Sequence, residues 1–66
     1  MQIHLNGHAQ TLSDMPTVVE LLERNGYGER RVAVEINHAI VPRSEHASRR
    51  VADGDVIEIV HAIGGG

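Results

Sequence analysis

The sequence predicts an α+β domain, one mixed sheet of four to five strands with one main helix packed on one face. Three observations carry that prediction. Residues 2–5 alternate polar and apolar and run into Asn6-Gly7, a strong signal for a two-residue hairpin turn. Thr17-Val18-Val19-Glu20 has the form of a capping box and opens a stretch with apolar residues at helical spacing. Val32, Val34 and Ile36, and later Ile57 and Ile59, return to the alternation of a half-buried strand.

Taken in order, Ile3 and Leu5 face the core in the first strand, and Asn6 and Gly7 both tolerate positive φ. A second strand covers about His8 to Leu12. Pro16 stiffens the entry to a helix over about Val18 to Asn25, with Val18, Leu21 and Leu22 on its apolar stripe and Gly26 at the position of a C-terminal cap. Residues 31–36 form the next strand, Asn37-His38 a tight turn, and Ile40-Val41 a short strand ended by Pro42. Ser44 to Arg50 is polar, with room for a single helical turn. Asp53-Gly54-Asp55 is a tight turn, and Val56 to Ile63 is the last strand. If the first and last strands are central neighbours, they run parallel. With 66 residues there is one domain, divided as 1–63 for the folded part and 64–66 for a flexible C-terminal glycine tail.

Composition excludes several function classes. At 41% hydrophobic the chain is not of the disordered type. Its core is just sufficient for so short a chain, which argues against an internal ligand cavity and a self-contained enzyme. Cysteine is absent, so there is no disulfide or thiolate nucleophile, and lysine is absent, so there is no Schiff-base residue. Ser13, Ser44 and Ser48 lie in no nucleophile elbow, so no catalytic residue is assigned. A net charge of −3 and a single aromatic residue, Tyr27, disfavour a nucleic-acid partner. With neither a basic, apolar leader nor a membrane-length run, a cytoplasmic protein with no membrane partner is expected. His4, His8, His38, His46 and His61 are scattered without zinc-ligand spacing and read as surface residues, so no metal site is expected. His4 and His61 would approach one another only if the first and last strands pair.

Gly64-Gly65-Gly66 ends the sequence. Glycine costs entropy on ordering and offers nothing to pack. One reading is a frayed terminus. The other is a thin backbone shaped to enter a partner's narrow channel, with the Gly66 carboxylate as reacting group. A carboxylate must be activated before a nucleophile can displace its oxygen, and the chain has no phosphate-binding GxxxxGK[ST] loop, so a partner would activate it. Partner docking would fall to outward positions near the tail: Glu58, Val60, Ala62 and Ile63.

Several segments, in order, carry a family resemblance. They are Asn6-Gly7 after the first strand, Thr17-Val18-x-x-Leu21-Leu22, and Ile36-Asn37 followed by Ile40-Val41-Pro42-Arg43. The most specific is Asp53-Gly54-Asp55-x-Ile57-Glu58-Ile59-Val60 leading to Gly65-Gly66. Over essentially its whole length the chain resembles the thiamine-biosynthesis sulfur carrier family of ubiquitin-like (β-grasp) proteins. His46 departs from it, standing where an aromatic residue is common, which puts the local packing there in question.

The resemblance implies a β-grasp fold and a protein cosubstrate rather than an enzyme, monomeric when free and binding no cofactor itself. An E1-like adenylating enzyme would use ATP and magnesium to adenylate Gly66. A cysteine-derived sulfur donor system would displace AMP to leave a thiocarboxylate, and a thiazole synthase would consume the sulfur. Gly65 and Gly64 would give the tail clearance in the channel. The neighbouring alternatives are the carrier subunit of molybdopterin synthase and a noncovalent β-grasp binding module. The short chain and the Asn37 to Arg43 segment favour the thiamine family.

Overall fold

Asn6 (φ 50°) and Gly7 (φ 84°) both take the left-handed conformation and turn β1 (Gln2–Leu5) into β2 (His8–Thr11), with Leu5 opposite His8 and Gln2 opposite Thr11. The computed structural model describes residues 1–28 and 30–61. After the hairpin come α1 (Val18–Arg24), β3 (Val32–Ile36), β4 (Ala39–Val41), a 3-10 turn at Arg43–Glu45, and β5 (Val56–His61). The five strands form one sheet in the order β2-β1-β5-β3-β4. β1 and β5 run parallel, as expected of central neighbours, and the other pairs are antiparallel. The predicted last strand reached Ile63. Its part beyond His61, together with the 64–66 tail, lies outside the described residues.

The helix is short, and both its ends are capped. Thr17 caps it: its hydroxyl accepts from the Glu20 N–H (3.2 Å), and the Glu20 carboxylate accepts from the Thr17 N–H (2.8 Å). The first two helical N–H groups donate elsewhere, Val18 to the Arg49 carbonyl and Val19 to the His46 carbonyl, both at 2.9 Å. Three of the donors a helix start leaves unpaired thus find acceptors, two of them in the 46–49 segment. At the other end Asn25 is the cap and Gly26 (φ 84°) reverses the chain, with Gly26 N–H donating to Glu23 and Tyr27 N–H to Leu22, the Schellman arrangement. Beside the helix, Arg24 donates twice to the Asp14 carboxylate (2.6 and 2.9 Å) and holds it below the usual aspartate range.

Val18, Leu21 and Leu22 pack with Ile3, Leu5, Val34, Ile36, Val41, Val51, Ile57 and Ile59 into one core between helix and sheet. Ile3, Leu5, Val34, Ile36, Ile57 and Ile59 are inward positions of the predicted alternation and Val18, Leu21 and Leu22 are the predicted helix stripe, whereas no sequence signal placed Val51 in the core. One expectation is corrected and another extended. His46 is not a surface residue but 8% exposed, with its Nε2–H donating to the Val41 carbonyl at 3.1 Å. The ring finds its partner across the chain reversal after β4, so a histidine fills the site where an aromatic is common without leaving a buried nitrogen unpaired. Asp55 is more than a turn residue. It is 8% exposed, and its carboxylate accepts from Ala52 N–H (2.8 Å) and from Asn37 Nδ2 (3.0 Å), while Asn37 Oδ1 accepts from Val56 N–H (2.9 Å). This ties the 53–55 turn to the β3–β4 turn, where Asn37 (φ 54°) and His38 (φ 71°) both lie in the left-handed region.

Candidate functional site

β5 is the strand that leads to the glycine tail, and it sits in the middle of the sheet. Its alternation decides what it shows a partner. Ile57 (1% exposed) and Ile59 (5%) are buried, whereas Val56, Glu58 and Val60 face outward, Val60 at 60% exposure. Glu58 and Val60 therefore lie where the sequence placed them, on the sheet face away from the helix. At that exposure Val60 is no part of the core. Ala62, Ile63, Gly64, Gly65 and Gly66 lie outside the described residues.

On one side, β5 pairs with β3 from Ile57 to its end, with Ile36 opposite Ile57 and Val32 opposite His61. On the other side the ladder to β1 is short, with His4 opposite Val56 and Leu5 opposite Ile57. Asn6 extends it. Its backbone N–H donates to the Ile57 carbonyl (2.9 Å), and its side-chain Oδ1 accepts from the Ile59 N–H (2.8 Å). The amide thereby stands in for the next backbone carbonyl after β1 has turned away. Asn6 Nδ2 also donates to the Tyr27 hydroxyl (3.2 Å), and the Tyr27 ring lies 5.9 Å from that of His61 in a tilted arrangement. Asn6, Tyr27 and His61 thus connect the hairpin turn, the helix exit and the last described residue of β5. Sequence reading saw Asn6 only as a turn residue. Its second role depends on the strand order, which local signals do not encode.

His4 and His61 do not meet. His4 lies opposite Val56 at the start of β5, five residues from His61, or about 16 Å along a strand. The outer face instead gathers Glu35, His38 and Glu58, whose possible ligand atoms all lie within 4.8 Å of one another. Away from that face, a groove of about 310 Å³ runs between the helix and the 3-10 turn, lined by Val19, Leu22, Val32 and His46 with Arg30 and Arg43. Among the described residues no helix is long and apolar enough to cross a membrane.

Comparison with known proteins adds to this geometry. The ThiS family pattern matches residues 3–66. The sulfur carrier protein ThiS of Escherichia coli is 41% identical over 66 residues, covering the whole of both chains. A thiazole synthase of Paramagnetospirillum magneticum is 47% identical over 66 residues, all of this chain but 20% of that protein. One of Magnetococcus marinus is 41% identical, also over 20% of its length, so the chain spans about a fifth of each of these synthases. The crystal structure of a thiamine biosynthesis protein (ThiS) from Geobacter metallireducens superposes with a TM-score of 0.86 at 30% identity, covering all of both chains.

Proposed function

The chain belongs to the ThiS family, the sulfur carriers of thiamine biosynthesis, and from that premise we propose that it carries sulfur as a thiocarboxylate on Gly66. The observation that carries the reading is the extent of the match, which runs to residue 66 and so takes in the diglycine as well as the folded domain.

The chemistry requires a partner. The Gly66 carboxylate attacks the α-phosphorus of ATP on an E1-like adenylating enzyme, releasing pyrophosphate and giving an acyl adenylate, with magnesium balancing the phosphate charge. A cysteine-derived persulfide sulfur then attacks the acyl carbon. AMP leaves with the carboxylate oxygen it had bonded, giving an acyl disulfide to the donor; a thiol then attacks the donor's sulfur of that S–S bond, forms a disulfide with the donor and leaves the thiocarboxylate on Gly66. The carrier supplies no catalytic side chain to these steps. Gly65 and Gly64, lacking Cβ atoms, let channel walls close on the backbone. Glu58 and Val60, exposed beside the exit of β5, provide the docking face together with Ala62 and Ile63. The consumer is a thiazole synthase, a reading supported by two proteins of that name that contain a segment similar to this whole chain.

Intact mass spectrometry tests the proposal, after incubation with the adenylating enzyme, ATP, magnesium and a sulfur donor. One oxygen should be replaced by sulfur, with fragmentation placing the change on Gly66. The variant lacking Gly66 should keep its thermal stability and lose loading. An unchanged mass with a partner enzyme shown to be active, or normal loading of the shortened variant, overturns the reading and favours a noncovalent binding module.

A further inference from the structure

We propose that Glu35, His38 and Glu58 form a site for a divalent cation of the zinc type on the outer face of the sheet. The β3–β5 register sets Glu35 directly opposite Glu58. Like charges at directly opposed positions destabilise a strand pair. Among the described residues neither carboxylate takes part in a salt bridge; the one present is the Arg24–Asp14 pair beside the helix. His38 brings a third donor. It is the second residue of the β3–β4 turn, and its left-handed backbone (φ 71°) leaves its imidazole within 4.8 Å of both carboxylates.

The donor set selects the ion. An imidazole nitrogen with two carboxylate oxygens is a combination zinc accepts, leaving one position for water. Magnesium and calcium favour shells made of oxygen alone. Donors about 2.0–2.2 Å from a tetrahedral ion stand roughly 3.4 Å apart, so the side chains must close inward by an ångström or so. Glu35 is half-buried and supplies the fixed ligand, while His38 and Glu58 are exposed and free to adjust. Occupation would neutralise two carboxylates on a face that also exposes Ile40 and Val60.

The test titrates Zn²⁺ alone into the full 66-residue chain, read by calorimetry and by the NMR signals of the histidine rings. Binding should saturate at one ion per chain, with the His38 ring shifting first. His38→Asn keeps a residue that tolerates positive φ while removing the imidazole, and Glu58→Gln removes one charge. Each should weaken binding by more than about tenfold, a loss that even outer-shell partners can produce. His8→Asn, on β2, should change nothing. Without zinc, Glu58→Gln should melt at a higher temperature than the parent chain, and a given zinc concentration should raise the melting temperature of the parent and of His8→Asn more than that of the two site variants. Equal shifts of all five histidines, unchanged affinity in His38→Asn, or equal competition by Mg²⁺ would overturn the assignment.

Discussion

Replacing Asn6 separates its two roles, because glycine and alanine remove the same side chain but differ in backbone freedom. Both leave the Ile59 N–H, now bonded at 2.8 Å, without its acceptor, and both remove the 3.2 Å bond to Tyr27. A partly buried donor left unpaired costs about 1–3 kcal/mol. Asn6→Gly keeps the φ of 50° without strain, so its loss should stay in that range. Asn6→Ala adds the cost of a left-handed L-residue, roughly 1–2 kcal/mol, for a total of about 2–5 kcal/mol. A chain this short has about 3–10 kcal/mol in all, at 0.05–0.15 kcal/mol per residue, so both effects are measurable. Urea unfolding followed by far-UV circular dichroism and by Tyr27 fluorescence should rank the parent above Asn6→Gly and Asn6→Gly above Asn6→Ala. Amide exchange at Ile59 should accelerate in both variants. Equal stability of the two variants refutes the backbone argument, and unchanged exchange at Ile59 refutes the ladder extension.

Two further expectations concern the scaffold. Ile59→Ala, at a position 5% exposed in the core, should cost about 2–5 kcal/mol in urea unfolding; a loss under about 0.5 kcal/mol, the level of an ordinary surface change, would mean the strand is not anchored there. On acidification, Asp14 is held below its ordinary range by the hydrogen bond from Arg24, and Glu20 by that from the Thr17 N–H. Their folded pKa values are depressed, so their contribution is complete above the ordinary carboxylate values and drains as the pH falls from about 4 through the lower folded values. The urea midpoint should fall across that window and fall less steeply in Asp14→Asn; an identical slope in that variant would remove the Asp14–Arg24 pair from the account.

The sequence signals that proved readable are those in which a side chain acts on its own stretch of backbone. Asn6-Gly7, the Thr17–Glu20 box, Gly26 and Asn37-His38 each set local dihedrals or cap local donors, and each lies in the structure where it was expected. The inward residues of β1, β3 and β5 followed from alternation alone. What was not readable depends on segments that meet only after folding. His46 looks like any polar-segment histidine until the 42–51 segment packs back on the helix start and offers it the Val41 carbonyl. Asp55 reads as turn chemistry, and only the meeting of two turns makes it a buried acceptor for Asn37. Glu35 and Glu58 become neighbours through a strand pairing that no spacing announces. The chemistry proposed for Gly66 was legible as a possibility in the three glycines, but the sulfur came from family likeness, because a thin tail does not specify its cargo.

The strand order gives the proposed carrier what a bare glycine tail could not supply, a fixed point of departure. A terminus delivered into a partner's channel must leave its domain from a defined place, or docking would position the domain without positioning the reacting carboxylate. An edge strand would be a poor base, since one side of its ladder is unpaired and open to other chains. β5 is central, but its two flanks differ. β3 accompanies it through His61, whereas the parallel ladder to β1 stops at Ile57, before the exposed face around Val60 is complete. Asn6 bridges that gap through Ile59, and Tyr27 continues the support to His61 by ring contact. The outer half of β5 is thus held by backbone pairing on one side and by two side chains on the other. Glu58 and Val60, proposed above as docking residues, lie on that half and inherit their position from the same restraints. On the proposed function, recognition and delivery are tied to one strand, and a change that loosens Asn6 should degrade both together.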